Sequence, residues 1–175
     1  DIVNCSWGNG NDNHILRETI EASGMLIVAA VGNNSRSLDE TPIYPASYDL
    51  DNVISVAAVD SEGELGYFSN YGAAVDIGAW GVEIVSTIPG GGYGEMTGTS
   101  VSAGFASGIV ALALSNNAGT TVQQEEVERL SSFLALAGGS VSRAAMMTTA
   151  AEELEPISES DAAESWEHFN DSKTV

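Results

Sequence analysis

Met25-Leu26-Ile27-Val28-Ala29-Ala30-Val31-Gly32-Asn33 is an unbroken apolar run closed by a Gly-Asn pair. Continuous apolarity, rather than alternation, is the pattern of a central parallel strand covered on both faces. Immediately upstream, Asn11, Asp12 and Asn13 are candidate N-caps for a helix from about His14 to Ser23. Gly24 is its stop signal, and Ile15, Leu16 and Ile20 lie at helical spacing. Before that helix, Ile2 to Cys5 is a short apolar run that reads as a second buried strand. Strand, helix and strand within about 30 residues make a βαβ unit. The expected class is therefore α/β with a mainly parallel sheet.

Working outward toward the C-terminus, a Tyr44-Pro45 turn precedes a predicted strand at Val53 to Val59. Two shorter strands are predicted at Val75-Asp76-Ile77 and Val82 to Ile88. The glycines Gly90-Gly91-Gly92 then turn the chain into Tyr93 to Thr97. Helices are predicted over 99–115, 122–137 and 140–151. The stretch 156–175 is rich in Glu, Asp and Ser with little periodicity, the composition of a disordered segment. The expected division is a folded unit over 1–151 and an acidic, disordered tail over 152–175. No internal repeat is present.

At 175 residues with 43% apolar content, the chain is long enough for one domain with its own core. Its 25 acidic residues against 5 basic ones give a net charge of −20. Such a surface repels nucleic acid and anionic membranes, so neither is an expected partner. No apolar run approaches the roughly 20 residues that span a bilayer. The single cysteine, Cys5, excludes an internal disulfide and reads as a small buried hydrophobe. No signal peptide is visible. The chain opens at Asp1, one residue before a core strand, so part of the protein is expected to lie upstream.

The chemistry gathers at Gly98-Thr99-Ser100-Val101-Ser102-Ala103. A tight Gly-Thr turn presents Ser100 at the start of a small-residue helix, where free backbone N–H groups and the helix dipole favour developing negative charge. Asn33 ends a buried strand after Gly32, which aims its amide at the carboxyl edge of the sheet, the edge where open α/β sheets bind ligands. A nucleophile and an oxyanion donor are the two groups acyl transfer needs besides a base. A helix-capping role is the alternative for Ser100, and a turn role for Asn33.

Together, Val28 to Asn33 and Gly98 to Ala103 resemble the subtilase family of subtilisin-like serine proteases (peptidase S8). Ser6-Trp7-Gly8, Tyr44-Pro45, Ala57 to Asp60, Phe68-Ser69-Asn70 and Gly78-Ala79-Trp80-Gly81 match further stretches of that family. Val141 to Ala150 resembles its terminal helix, so the likeness covers about residues 1–150. The resemblance implies a three-layer subtilisin-like fold, of which 1–151 would be the C-terminal part. It implies a serine endopeptidase acting on polypeptides through an acyl-enzyme on Ser100. Asn33 and the Ser100 N–H would hold the oxyanion. Ser6, Trp7 and Gly8 would pair with substrate backbone, with Ala30, Gly32 and Gly98 lining the primary pocket for an uncharged side chain. Tyr44-Pro45 is often cis in this family. Secretion and an inhibitory pro-region upstream follow from the same likeness. No cofactor is required by it; structural calcium often accompanies it, but no complete metal site reads from this sequence.

This sequence departs from the family pattern at Gly104-Phe105, where Pro-His is usual, and at Trp80, where proline is usual. More consequential is the triad, whose order is Asp, His, Ser in the family. No matching Asp or His segment occurs here. Of the two histidines, His14 reads as a helix-start residue and His168 falls in the acidic stretch. Without a base Ser100 is a weak nucleophile, so the isolated chain is expected to be nearly inert. A non-catalytic subtilase-like binding module is the alternative reading. An unrelated hydrolase with a chance Gly-Thr-Ser is a third. Among the glycosylation sequons, only Asn170-Asp171-Ser172 avoids a core strand or the site.

Overall fold

The computed structural model describes residues 2–116. Within them the order is β1 (Ile2–Cys5), α1 (His14–Ser23), β2 (Leu26–Ala30), β3 (Val53–Val59), β4 (Ile77–Trp80), β5 (Ile84–Thr87), β6 (Tyr93–Met96) and α2 (Thr99–Asn116). The first four strands form one parallel sheet in the order β1-β2-β3-β4, and β5 and β6 pair as an antiparallel hairpin. The helices predicted over 122–137 and 140–151, the resemblance at Val141 to Ala150, and the stretch from 152 onward lie outside the described residues.

α1 begins and ends where its signals stand. Asn13 Oδ1 accepts the backbone N–H groups of Ile15 at 3.0 Å and Leu16 at 3.2 Å, and Gly24 closes the helix in the left-handed region. The Asn13 bonds satisfy donors that the helix itself leaves unpaired, a contribution of about 1 kcal/mol. From Gly24 the chain enters β2, all five of whose residues are buried.

Alternation along the buried strands sorts their side chains to two faces. Leu26, Val28 and Ala30 join Ile54, Val56, Ile77 and Ala79 in a core closed by Ala103, Ala106 and Val110 of α2. Ile27, Ala29 and Val31 point the other way, into a core with Ile20 of α1, Leu38, Tyr48 and Val75. One layer of sheet thus lies between two helical layers. Cys5 is part of the second core, and burial pushes its thiol pKa up, which keeps it protonated and inert.

The fourth strand runs over 77–80 rather than the predicted 75–77. Gly78 and Ala79 carry no strand signal in the sequence, yet the short side chain of Ala79 is what lets α2 approach this face. Gly81 takes this furthest: a Cβ there would collide with Ser102 Oγ and lie 2.8 Å from the Gly98 carbonyl oxygen. Asp76, predicted to be a strand residue, instead locks the strand's entrance.

That lock is a polar cluster with Ser55. The Ser55 N–H donates to Asp76 Oδ2 at 2.7 Å, and the Asp76 N–H donates to Ser55 Oγ at 2.8 Å. The Ser55 hydroxyl also lies 2.6 Å from the Ala74 carbonyl and 2.7 Å from Asp76 Oδ2. With one hydrogen, it cannot serve Ala74 and an ionised Asp76 at once. A protonated Asp76 donates to Ser55 Oγ and frees that hydrogen for Ala74. Although part of the residue meets solvent, burial of the carboxyl raises its pKa; the Ser55 bonds oppose the rise and the charge of Asp49 adds to it. The folded pKa therefore lies above the unfolded value of about 3.9. This contribution to stability is full below that value and is lost as pH climbs through the folded pKa. In urea titrations between about pH 3.5 and 7, the stability of the wild type minus that of Asp76→Asn should fall as pH rises. A flat difference would remove Asp76 as the source.

Candidate active site

The site is built where β2 ends and α2 begins. Leaving β2, the chain places Gly32 and Asn33 at the carboxyl edge of the sheet, and Thr99 opens α2 directly alongside. The Thr99 N–H donates to Asn33 Oδ1 at 2.9 Å and the Thr99 hydroxyl donates to the same oxygen at 2.8 Å. The Gly32 N–H in turn donates to Thr99 Oγ1 at 3.1 Å. Both Thr99 bonds fall on the Asn33 carbonyl oxygen, so its Nδ2 group is turned away from Thr99 with its hydrogens free to donate outward.

Gly98 has φ +155° and is the residue that opens the space in front of these groups. A Cβ on Gly98 would lie 3.2 Å from Ser100 Oγ, 3.4 Å from Asn33 Nδ2 and 3.9 Å from Ser100 N. A hydroxyl and two N–H donors therefore surround one point, and only a residue without a side chain leaves it open. Gly98 is itself fixed: its N–H donates to the Gly81 carbonyl at 2.8 Å, and its own carbonyl accepts from Val101 N at 3.0 Å and Ser102 N at 3.2 Å. Ser100 is half-buried and Asn33 exposed, as accessible groups at a cleft must be.

The other residues singled out in the sequence divide between this edge and the core. Ser6 follows β1, and its hydroxyl donates to the Ser100 carbonyl at 2.7 Å. Trp7 is 50% exposed, a large ring beside the same edge. Gly8 packs against Ile43 and Tyr44, and the next residue, Asn9, exchanges backbone hydrogen bonds with Tyr44 at 3.0 and 2.8 Å. The Tyr44-Pro45 peptide is cis. Ala30, expected to line the primary pocket, is instead buried in the core under α2, two residues before Gly32 reaches the edge. His14 opens α1, the helix on the opposite face of the sheet from α2, and His168 lies outside the described residues. Among the described residues Ser100 has no histidine partner, and no group of three or more His, Cys, Asp or Glu side chains is placed to hold a metal ion.

Sequence reasoning passed over Asn4, Asn70 and Ser107. Asn70 is buried: its Nδ2 donates to the Val31 carbonyl at 2.8 Å, and its Oδ1 accepts from Asn34 N and Arg36 N, both at 3.0 Å. It thereby shapes the turn that carries Asn33. Its only sequence signal was its place in the Phe68-Ser69-Asn70 stretch. The two departures noted at Trp80 and Phe105 prove to be one feature, since their rings pack at 5.5 Å and 39°. The buried Trp80 indole N–H has no hydrogen-bond partner among the described residues.

Sheet order, the small-residue helix and the Ser-Asn pair together define a parallel α/β scaffold with a serine at a helix N-terminus beside an asparagine amide. Comparison with known proteins specifies it further. The profile of the Subtilase family matches residues 1–168. Subtilisin-like protease 2 of Plasmodium falciparum is 40% identical over an alignment of 136 residues that covers 72% of this chain and 10% of that protein. The thermophilic serine proteinase of Bacillus sp. strain AK1 is 39% identical over 132 residues, 74% of this chain and 32% of that protein. Among solved structures, a protease of Pseudoalteromonas arctica superposes with TM-score 0.66 at 27% identity, covering 75% of this chain and 43% of that one. The prenylagaramide maturation protease PagA gives TM-score 0.60 at 32% identity, covering 70% and 47%. This chain belongs to the subtilase family, and its described part is a portion of the subtilisin-like α/β fold. It spans less than half the length of each of these relatives.

Proposed function

We propose that this chain carries the nucleophile and oxyanion hole of a serine endopeptidase. The observation that supports it best is the open point shared by Ser100 Oγ, Asn33 Nδ2 and Ser100 N. A peptide carbonyl carbon brought to Ser100 Oγ would place its developing O⁻ toward the two N–H donors, which stabilise it more than they stabilise the neutral carbonyl. Oγ gives its proton to the general base as it bonds to the carbonyl carbon, the C–N bond breaks as the amine leaves with that proton, and water, deprotonated by the same base, hydrolyses the acyl-enzyme. The base and its orienting carboxylate come from another segment of the intact protein, so this chain alone is inert. Residues 29–34 and 97–100 carry no charge, which favours an uncharged side chain in the primary pocket. Ser6, Trp7 and Gly8 bind substrate backbone by strand addition, and Gly32 and Gly98 form the pocket. Secretion, an inhibitory pro-region, and a domain boundary near residue 151 belong to the same reading.

Treating the full-length protein with a fluorophosphonate and mapping the adduct by mass spectrometry tests it. Modification of Ser100 is expected. A folded full-length protein that stays unmodified would instead be a binding module that keeps the fold without the chemistry.

A further inference from the structure

Besides the Asn33 contact, a second polar chain reaches the nucleophile, and it comes from β1. Asn4 Nδ2 donates to Ser6 Oγ at 2.9 Å, and Ser6 Oγ donates to the Ser100 carbonyl at 2.7 Å. On its other side, Asn4 Oδ1 lies 3.1 Å from Ser107 Oγ, whose hydrogen is shared with the Ala103 carbonyl at 2.8 Å. Ser107, Asn4 and Ser6 thus bridge two points on α2 that are about two turns apart.

We propose that Ser6, oriented by Asn4, is a positioning residue that holds the Ser100 backbone for catalysis. Two oxygens 2.7 Å apart need a hydrogen between them, and the Ser100 carbonyl has none to give. The hydrogen must be that of Ser6, so Ser6 must accept, not donate, on its Asn4 side. This fixes the Asn4 amide with its nitrogen toward Ser6 and its oxygen toward Ser107. The consequence for Ser100 is a grip on both flanks. Asn33 holds the N–H and hydroxyl of Thr99, and Ser6 holds the carbonyl of Ser100. Between those anchors lie the Ser100 N–H and the bond to its Oγ, the two groups whose aim decides the reaction. Displacing reacting groups by about 1 Å costs roughly a hundredfold, so partial slack at one anchor should cost about tenfold.

The proposal rests on the peptidase reading for its kinetic signature, but the grip itself can be measured without activity. In the full-length protein, Ser6→Ala should lower kcat on a peptide anilide by about tenfold and leave KM within about twofold, because strand addition uses backbone rather than this hydroxyl. Asn4→Asp is the sharper variant. It is nearly isosteric but can only accept, so it pulls the Ser6 hydrogen away from Ser100 and should match the loss in Ser6→Ala. Ser6→Thr keeps a hydroxyl and should restore kcat. Hydrogen exchange at the Val101 and Ser102 amides, which donate to Gly98, should quicken in the first two variants and not in the third. Unchanged kcat and exchange in Ser6→Ala and Asn4→Asp would overturn the proposal, as would a rise in KM alone. If the wild type neither hydrolyses peptides nor takes a fluorophosphonate, the peptidase reading falls, and the exchange rates alone support or overturn the grip.

Discussion

Ser100→Ala in the full-length protein should lower kcat by about six orders of magnitude and abolish fluorophosphonate labelling, the size of loss seen when subtilisin, of the same family, is deprived of its nucleophile. The geometry adds a selectivity to that loss. Asn33 Nδ2 and the backbone N–H of residue 100 both survive the substitution, so the residual rate should stay above that of free water. Folding should be little affected, because the hydrogen bonds that seat the turn use Thr99, Gly98 and the carbonyl of residue 100, none of which needs the hydroxyl. Thermal unfolding alongside steady-state hydrolysis checks both halves. Activity that persisted within tenfold in a normally folded variant would assign the nucleophile elsewhere.

The second large effect is expected at Asn33, where two replacements separate two roles. On the proposed function Asn33→Ala removes an oxyanion donor, a loss on the order of 10²–10³ in kcat by the subtilisin precedent. It also leaves Thr99 N–H and Thr99 Oγ1 without their acceptor, so the melting temperature should fall as well. Asn33→Asp keeps an acceptor for Thr99 and should retain more of that stability. It nevertheless sets a carboxylate against the developing oxyanion, so kcat should drop at least as far as in the alanine variant. If the two variants ranked the other way in kcat, the Nδ2 group would not be facing the reacting oxygen.

How much of this was legible in the sequence depended on the distance over which each feature is determined. β2 could be read because burial on both faces leaves an unbroken apolar run, and α1 because its cap and stop signals are local. Asn33 and Ser100 could be placed at one edge because each ends or begins an element whose direction the βαβ pattern fixes. β4 lies two residues beyond the predicted strand because Ala79 is small for the sake of α2, a partner that a local pattern does not contain. The polar chain was invisible for the same reason. Ser6 and Ser100 are 94 positions apart, and Asn4 and Ser107 are 103 apart. Their residue types are ordinary in strands, turns and helices, and only the packed fold makes them neighbours. Pairing of Trp80 with Phe105 likewise turned two separate departures into one contact.

The seat of α2 on the sheet has a mechanical consequence. Where Gly81 meets Gly98 and Ser102, and where Ala103 and Ala106 meet the strands, the contact is made by backbone and the shortest side chains. Long side chains can absorb a small shift by changing rotamer; backbone and methyl groups cannot. The helix bearing Ser100 is therefore bolted to the sheet without a gasket, and a change of strand twist at β4 passes undamped to Ser100. On its opposite side, no described residue lies within 4 Å of where a Cβ would stand on Gly104 or Gly108. Mutational tolerance along α2 should accordingly be lowest at the sheet-facing positions, which recur with the helical period.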